Sequence, residues 1–430
     1  MFEERGMKSE VREFIKEHRE DDVRALALKK VPDGVNLQEA LVQIAGWQSA
    51  RHKIPSWAAT EGILYPRHLS MEQCSSDKTA EYKARLLEKR AERRGERFVD
   101  LTGGFGVDFV AIAKSLCKDP SSDGCRPVYV ERSEELCEIA RNNFPLLGVD
   151  AEIVCTSAEE YLRNMTHASV IFIDPARRDG AGRKVAGISD CTPDVLSLKD
   201  DLLSKADLVL LKLSPMLDWH KAVSDLGECV REVHIVSVAN ECKELLIVMG
   251  KESPTSPLQV EGESLRGRNI LRVICVNDDD EVLTVELDNS HVPAHNSLTC
   301  SLSLHQESRD RGIYLYEPNA SIMKSGCFGA LCDKYGVKVV GKNSHLFVSD
   351  TPVGCFPGRK FIVEAVSSMN KRDIKENLGG IGKANVSVRN FPMSAEELRR
   401  RLKVADGGDD YIFGTTLDDG SHCLLLCKKC

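Results

Sequence analysis

Short apolar segments and helix-like segments alternate through the middle of the chain. Seven β-branched apolar runs follow one another between residues 97 and 250: RFVDL, PVYVE, AEIVC, SVIFIDP, DLVLLKLS, EVHIVSV and ELLIVMG. Helix-like sequences separate most of these runs. Nearly continuous apolar strands that alternate with helices are typical of a parallel sheet covered by helices on both faces. The pattern therefore predicts an α/β fold for this region.

The residues before this region have a helical pattern instead. Asn36 and Glu39 have the spacing of a capping box, and LQEALVQIAGWQSARH behind Asn36 carries an apolar stripe. The sequence SSD at 75–77 offers another helix start, and a basic helix follows it that Gly95 would end.

After residue 250 the pattern becomes that of an α+β protein. A polar stretch with two prolines, 251–264, indicates a domain edge. Beyond it NILRVICVN, EVLTVELD, GIYLYEP, VKVVG and HLFVS are strand-like, and SIMKSGCFGALCDKYG is helix-like. From Pro357 onwards the pattern predicts strand, helix, strand, helix, strand and strand. We expect four regions: N-terminal helices at 1–80, the α/β domain at 81–250, an α+β domain at 251–356 and a second one at 357–430.

The composition is that of an ordinary globular protein. Of 430 residues, 42% are hydrophobic and 29% are charged, which argues against a chain that is disordered throughout. No apolar run approaches the roughly 18 residues of a membrane helix, and the charged N-terminal stretch lacks the apolar core of an export signal. We therefore expect a cytoplasmic protein without a membrane partner, whose 16 cysteines are reduced thiols.

The charge is unevenly distributed. The net charge of −8 argues against a uniformly basic nucleic-acid binder. Residues 83–97 nevertheless carry a net +4, and residues 358–405 carry eleven basic and five acidic residues, a net +6. These two basic segments are consistent with an anionic partner, although a charged helix is more often a solvated face.

The residues with the clearest chemistry lie at the ends of successive predicted strands. FVDLTGGFGVD (98–108) is a strand, a glycine turn and the start of a helix, and its glycines let the backbone approach a ligand closely. In an open α/β sheet, ligands bind at the carboxyl ends of the strands. The polar residues at the next three strand ends are Glu131, Ser157 with Ala158 and Glu159, and Asp174. Together these strand ends predict one cleft.

The charges beside the glycine turn indicate which ligand the cleft takes. A dinucleotide enzyme would have a G-x-G-x-x-G turn that binds a pyrophosphate. Here the turn is GGFG, and the carboxylates of Asp100 and Asp108 on either side of it would repel a pyrophosphate. They suit a ligand with an ammonium group and a ribose. S-adenosylmethionine has both, together with a sulfonium cation.

These motifs resemble those of class I S-adenosylmethionine-dependent methyltransferases. The resemblance implies a Rossmann-like sheet, S-adenosylmethionine as cofactor, Glu131 as the ribose-binding acid and Ala158–Glu159 as the adenine contact. It also implies catalytic roles at the fourth strand end, where DPAR (174–177) matches the family motif. The residues that it assigns to cofactor binding are Gln73, Ser75, Thr79, Asp100, Thr102, Gly103, Gly104, Gly106, Asp108, Glu131, Ala158, Glu159 and Asp174, and those assigned to catalysis are Asp174, Pro175 and Arg177.

More closely, the whole chain is similar to a bacterial methyltransferase group in which two further domains follow the catalytic one. These are a ferredoxin-like domain and a C-terminal THUMP-like domain, and the segment 379–416 carries the second resemblance. THUMP domains imply structured RNA as a partner, usually tRNA. The resemblance therefore implies an RNA methyltransferase that uses its C-terminal domains and the basic segments 83–97 and 358–405 to bind RNA.

Differences from related motifs argue against two kinds of base methylation. Enzymes that methylate exocyclic amines carry an aromatic residue after Asn/Asp-Pro-Pro, which stacks on the flipped base, whereas Ala176 and Arg177 stand there in this chain. Uracil-C5 enzymes need a cysteine after the fifth strand, and KLSP (212–215) has none. Arg177 and Arg178 either bind a phosphate or form a salt bridge to a loop acid such as Asp179 or Asp190.

Three hypotheses for the function remain open. The first is methylation of RNA, the second is methylation of a small molecule or a protein, and the third is non-catalytic RNA binding with a vestigial cleft. The intact Asp100, glycine turn, Glu131 and Asp174 argue against the third. No metal site is predicted, because the terminal cysteines Cys423, Cys427 and Cys430, with His422 as a conceivable fourth ligand, lie at a chain end that frays easily.

Overall fold

The computed structural model describes residues 9–90, 97–117, 126–177, 187–250, 270–278, 280–288 and 312–430. The chain divides into two compact units, Met1–Val233 with Lys243–Leu271, and His234–Cys242 with Arg272–Cys430. Within the described ranges, no helix combines the length and apolar character needed to span a bilayer.

The N-terminal part of the first unit is helical, as predicted. Val11, Phe14, Leu26, Ala40 and Ile44 form a buried cluster. Both predicted helix starts are confirmed, because the side chains of the residues at 36 and 76 accept bonds from backbone amides three residues further on. The helices are α1 Ser9–His18, α2 Val23–Leu26, α3 Leu37–Lys53, α4 Pro55–Ala58, α5 His68–Gln73 and α6 Asp77–Arg90.

All seven predicted apolar runs form strands. The strands up to residue 250 are β1 Phe98–Asp100, β2 Val128–Glu131, β3 Glu152–Cys155, β4 Ala168–Ile173, β5 Ala176–Arg177, β6 Cys191–Thr192, β7 Ala206–Leu213, β8 Val230–Val238 and β9 Glu241–Gly250. In the first unit the sheet order is β3-β2-β1-β4-β7-β9-β8. The short β5 and β6 pair with each other outside this sheet.

The sheet is parallel from β3 to β7, as predicted, but its next strand is not. Strand β9 runs antiparallel to β7, with Leu210 opposite Val248. Only Ala239 and Asn240, with φ of 51° and 59°, separate β8 from β9. A two-residue turn of this kind joins antiparallel strands, whereas a parallel connection needs a crossover of a dozen or more residues. The sheet is therefore parallel over five strands and antiparallel at this end, which the pattern of apolar runs did not indicate.

Five helices follow the strands of this sheet: α7 Val107–Leu116, α8 Glu134–Leu146, α9 Ala158–Asn164, α10 Val195–Lys205 and α11 Trp219–Leu226, with 3-10 turns at Ile188–Asp190 and Gly227–Cys229. Phe109 on α7 and Phe144 on α8 pack against Tyr129 on β2, with ring centroids 5.4 and 5.1 Å from the tyrosine ring. This aromatic cluster fixes α7 and α8 against β1 and β2 close to the predicted cleft.

The second unit contains two sheets. The second half of β8 lies beside β10 Ile270–Asn277, and β11 Asp280–Asp288 follows in the order β11-β10-β8. The other sheet has the order β13-β14-β12-β15-β18-β17-β16. Its strands are β12 Ile313–Pro318, β13 Lys338–Val339, β14 Phe347–Ser349, β15 Gly358–Ser368, β16 Lys383–Arg389, β17 Ala405–Thr416 and β18 His422–Lys429. The helices of this unit are α12 Ala320–Ser325, α13 Phe328–Tyr335, α14 Lys371–Leu378 and α15 Ala395–Leu402.

The strand-helix-strand-helix-strand-strand order predicted from Pro357 onwards is confirmed. The single helix predicted after β12 is instead two helices, because Gly326 adopts a left-handed conformation (φ 69°) that ends α12. Helices α14 and α15 pack on the same sheet face, where Leu378 and Leu398 meet Ile412 and Leu424 in one core cluster.

Candidate functional site

The loop after β1 forms one side of the candidate cleft. It leaves the sheet at Asp100 and enters α7, whose N-cap is Gly106 with a φ of 90°. The Gly103 amide donates to the Val130 carbonyl oxygen (2.8 Å), and the Gly106 amide donates to the Gly103 carbonyl oxygen (2.9 Å). The first bond fixes the loop to the neighbouring strand β2 at the carboxyl edge of the sheet, and the second closes a turn within the loop.

The three glycines of this loop are needed for different reasons. A Cβ atom at Gly103 would lie 2.0 Å from the Tyr129 ring, and one at Gly106 would lie 2.7 Å from the Phe144 ring. At Gly104 (φ 56°) a Cβ atom would have no neighbour closer than 3.8 Å. The sequence predicted close ligand approach at all three glycines. The structure instead packs aromatic rings against two of them and leaves open space beside Gly104.

Three carboxylates from neighbouring strand ends meet at this loop. Glu131 Oε2 accepts a bond from the Gly104 amide (2.9 Å), and Asp100 Oδ1 accepts one from the Thr102 amide (2.9 Å). The Asp174 amide donates to Thr102 Oγ1 (2.7 Å), which joins the β1 and β4 loops. The structure thus brings together the strand-end residues that the sequence had placed in one cleft.

The electrostatics of these carboxylates favour a cation. Asp100 is 1% exposed. Burial raises the pKa of its carboxyl group well above the ordinary value; the bond from the Thr102 amide lowers it, and the neighbouring Asp108, Asp174 and Glu131 raise it further. A positive charge brought to this position would relieve the repulsion. This group of carboxylates therefore fits the ammonium and sulfonium groups of S-adenosylmethionine and does not fit a pyrophosphate.

A buried ionic network, which we did not predict from the sequence, lies beside the carboxylates. Lys83 is 0% exposed, and its Nζ lies 2.6 and 2.7 Å from the two oxygens of Glu244 and 3.1 Å from Asp108 Oδ1. Lys212 Nζ lies 3.2 Å from Asp108 Oδ2 and 2.7 Å from Asp174 Oδ2. Asp108 therefore links two lysines, and Lys212 links the network to the cleft.

Ser75 completes this ionic network. Its hydroxyl donates to Asp108 Oδ2 (2.8 Å) and accepts from Lys212 Nζ (3.1 Å) and Lys83 Nζ (3.3 Å). Burial by itself would raise the pKa of Asp108, but the ammonium groups of Lys212 and Lys83 lower it to about 2. The Asp108 carboxylate is therefore ionised and already neutralised within the chain, in contrast to Asp100.

The sequence contained a signal for the network. Lys212 lies within the apolar run LVLLKLS and Glu244 begins the run ELLIVMG. Lys83 lies on the stripe of α6 that also buries Ala80 and Leu87. A single charge within an otherwise buried segment is rarely tolerated unless it is paired. Such charges on separate elements therefore predict partners for one another.

The basic segment 83–97 is not a continuous exposed surface. Lys83 is buried, and Arg90 pairs with the buried Glu232 (2.8 Å). Arg97 donates to Tyr161 Oη (3.1 Å). The buried Lys83 is therefore closed to RNA, and the charge of Arg90 is paired inside the first unit. Arg85 and Lys89 of the same segment are exposed. Residues 91–96 lie outside the described ranges.

The remaining predicted residues lie around the same edge. Gln73 is exposed at the end of α5, whereas Thr79 is buried and its hydroxyl accepts from the Ser76 amide in the first turn of α6. Ala158 is buried and Glu159 half-buried at the start of α9, and Pro175 is buried after β4. The Arg177 side chain and Arg178, with their two alternatives, lie outside the described part of the structure.

Two of the three cysteines near the C-terminus are packing residues. Cys423 and Cys427 lie in the core cluster that contains Phe361 and Leu425. Burial raises the pKa of Cys423 to about 12 and that of Cys427 further. Cys430 is exposed at the end of the chain.

The chain is similar to known families and structures. Residues 314–357 match the family described as a ferredoxin-like domain, and residues 358–429 match the one described as THUMP domain-like. A "putative methyltransferase from Porphyromonas gingivalis W83" is 30% identical, with a TM-score of 0.75 over 97% of both chains.

Two other solved structures are similar over part of the chain. One is a "putative class I S-adenosylmethionine-dependent methyltransferase" from Listeria monocytogenes, which is 10% identical over 63% of this chain and 93% of that chain, with a TM-score of 0.38. The other is the 16S rRNA N2 G1207 methyltransferase of Thermus thermophilus, which is 14% identical over 44% of this chain and 46% of that chain, with a TM-score of 0.32. No curated protein matches the chain.

Proposed function

This chain belongs to the family of the Porphyromonas gingivalis protein and carries ferredoxin-like and THUMP-like domains, and we propose that it is a class I methyltransferase that methylates structured RNA in the cytoplasm with S-adenosylmethionine. The observation that carries the cofactor assignment is the open backbone at Gly104 among the carboxylates of Asp100, Glu131 and Asp174. Few other common cofactors combine a ribose with two cationic groups.

Different residues of the chain would bind different parts of the cofactor. Asp100 would attract the cationic end of the cofactor, and Glu131 would accept bonds from the ribose hydroxyls. The Gly104 backbone would lie against the ligand, and the start of α9 at Ala158 would border the adenine. The cofactor supplies a methyl group that is already activated on sulfur, so the main tasks of the protein are to orient the nucleophile and to exclude water.

Replacing Glu131 by alanine tests the cofactor assignment. Hydrogen bonds to a charged group contribute about 1.5–3 kcal/mol each. We therefore expect Glu131→Ala to weaken S-adenosylmethionine binding at least tenfold in titration calorimetry. Glu138→Ala, which removes an exposed carboxylate from the same region, is the control and should bind like the wild type. Equal affinities for the two variants would contradict the assignment, provided that both melt at the wild-type temperature.

The support for RNA comes from the second unit. The THUMP-like match covers residues 358–429. On α14 the exposed cations are Lys371, Arg372 and Lys375, and on α15 they include Arg400. Both helices cover one sheet face, and Arg401 donates to the Met369 carbonyl oxygen just before α14, so the end of α15 lies next to the start of α14. This arrangement places exposed cations on two neighbouring helices, together with the exposed acids Glu376 and Glu396.

The ion pairs of α15 determine which basic residues should be replaced to test RNA binding. Arg399 pairs with Asp406 (2.7 Å), so it contributes less free charge than Arg400. We expect Lys371→Ala/Arg372→Ala/Arg400→Ala to weaken tRNA binding and to reduce the log–log salt slope by about 2, since each phosphate contact contributes roughly 0.7 on a single strand. Filter binding between 50 and 200 mM salt measures both quantities.

A matched triple variant controls for net charge. Arg12→Ala/Lys16→Ala/Lys114→Ala removes the same number of exposed cations from the first unit. It should leave the salt slope unchanged. If both triple variants change the slope equally, RNA binding is not localised to α14 and α15, and this part of the proposal fails.

A further inference from the structure

A lysine and a carboxylate lie side by side at the mouth of the cleft. Lys212 Nζ is 2.7 Å from Asp174 Oδ2, and the side chains are 12% and 35% exposed respectively. Lys212 lies at the end of β7, and Asp174 follows the adjacent strand β4. Solvent therefore reaches this pair mainly through the Asp174 carboxylate, which is where a substrate would meet it.

The ionic network fixes the position and the charge of Lys212. Asp108 Oδ2 and Ser75 Oγ lie 3.2 and 3.1 Å from its Nζ atom. Burial opposes the charge on Lys212, but the Asp108 and Asp174 carboxylates raise its pKa well above the ordinary value. Lys83 in turn neutralises Glu244 and contacts the far oxygen of Asp108. Lys212 is thus a positioned ammonium group, which donates hydrogen bonds and does not accept a proton.

The Lys212 ammonium group is a hydrogen-bond donor and the adjacent Asp174 carboxylate is an acceptor. Together they favour some substrate nucleophiles over others. A neutral amine nitrogen has one lone pair, and a hydrogen bond from an ammonium group would occupy the electrons that it needs for attack. A hydroxyl oxygen has two lone pairs and one proton. It can accept a bond from Lys212, donate its proton towards Asp174, and still present a lone pair to the methyl group. The pair is therefore suited to an oxygen nucleophile.

The surroundings of Asp174 also argue against a flipped base. Enzymes that methylate base amines have a stacking aromatic residue after Asn/Asp-Pro-Pro, whereas this chain has Arg177 at that position and Ala176 in place of the preceding proline. In RNA, the hydroxyl that recurs at every nucleotide is the ribose 2′-hydroxyl, which is displayed along the minor groove without base flipping.

Building on the proposed function, we propose that the Lys212–Asp174 pair binds and activates a ribose 2′-hydroxyl of the RNA substrate. A lone pair of the oxygen forms the new bond to the methyl carbon while the carbon–sulfur bond breaks and leaves its electrons on sulfur. The hydroxyl proton passes to the Asp174 carboxylate. Lys212 keeps its protons and stabilises the negative charge that develops on the oxygen.

The test joins a product analysis to a binding measurement. The full-length protein is incubated with S-adenosylmethionine carrying a labelled methyl group and with RNA, protein and small-molecule fractions from cells that lack it. Alkaline hydrolysis of the RNA should leave the label in dinucleotides, because a 2′-O-methyl group blocks cleavage of the next phosphodiester bond. Lys212→Met should lower the rate of transfer about 100-fold or more, whereas the exposed Lys221→Met should not change it.

Titration calorimetry gives the second readout. Because Lys212 is assigned to the nucleophile, Lys212→Met should bind S-adenosylmethionine within threefold of the wild type. A loss of tenfold or more would overturn the inference, since Lys212 would then be a cofactor ligand. An unchanged transfer rate in Lys212→Met would overturn it as well.

The identity of the methylated product shows whether the 2′-hydroxyl inference, the proposed RNA methylation or both have failed. Label on a base nitrogen or carbon in RNA keeps the proposed function and overturns the inference. An O-methyl product in the protein or small-molecule fraction overturns the RNA substrate, the 2′-hydroxyl included, and supports only the preference for oxygen. An N-methyl or C-methyl product in those fractions overturns both. The absence of label from every fraction, in a preparation that binds the cofactor, also overturns both.

Discussion

Replacing Lys83 by methionine is expected to lower the free energy of unfolding by about 3–5 kcal/mol, the usual effect of removing one partner of a buried ion pair. The Lys83 side chain is 0% exposed and its ammonium group contacts both oxygens of Glu244, which is itself buried. Methionine fills a similar volume without charge. The effect therefore comes from the uncompensated Glu244 carboxylate and from the weaker pairing of Asp108.

Two further variants make this expectation specific. Lys89→Met removes an exposed lysine from the same helix and should change stability by less than about 0.5 kcal/mol. Lys83→Met/Glu244→Met removes both members of the pair and should regain most of the lost stability, because a buried ion pair replaced by apolar side chains is often neutral. Urea unfolding of the three variants measures these differences. A Lys83→Met protein as stable as Lys89→Met would show that the pair is not formed.

Replacing Gly103 by alanine is expected to destabilise the first unit by about 3 kcal/mol and to weaken cofactor binding at least tenfold. The new Cβ atom would lie 2.0 Å from the ring of Tyr129, which is fully buried against Phe109 and Phe144. The ring has no room to move. Its displacement would also strain the bond from Tyr129 Oη to the Gly104 carbonyl oxygen (2.5 Å), which positions the open part of the loop.

The adjacent glycine is the matched control. Gly104→Ala meets no atom closer than 3.8 Å, so its cost is that of a left-handed alanine, about 1–2 kcal/mol. Thermal unfolding and calorimetric titration with S-adenosylmethionine should rank Gly103→Ala as the less stable variant. Adding Tyr129→Leu to Gly103→Ala should restore part of the stability by making space. If Gly104→Ala is the more damaging change to stability, the packing explanation is incorrect.

The sequence by itself determined the order of the elements. Seven apolar runs bounded by glycine and polar residues became the strands β1–β4 and β7–β9, and the capping signals at Asn36 and at 75–77 started helices where expected. These features are local, because each depends on residues within one or two turns of the chain. The sequence also placed Asp100, Glu131 and Asp174 at strand ends, and in a parallel sheet the ends of neighbouring strands must lie together.

Only the tertiary structure decided which charges are free and which are paired. Lys83, Lys212 and Glu244 lie far apart in the sequence, and their partners follow from which elements pack together. For the same reason Lys83 and Arg90 of the basic segment were paired within the first unit, and the Asp108 carboxylate was neutralised by lysines while Asp100 was not. The roles of Gly103 and Gly106 were equally non-local, because aromatic rings from β2 and α8 fill the space beside them. Pairing and packing depend on long-range contacts, which local sequence patterns do not encode.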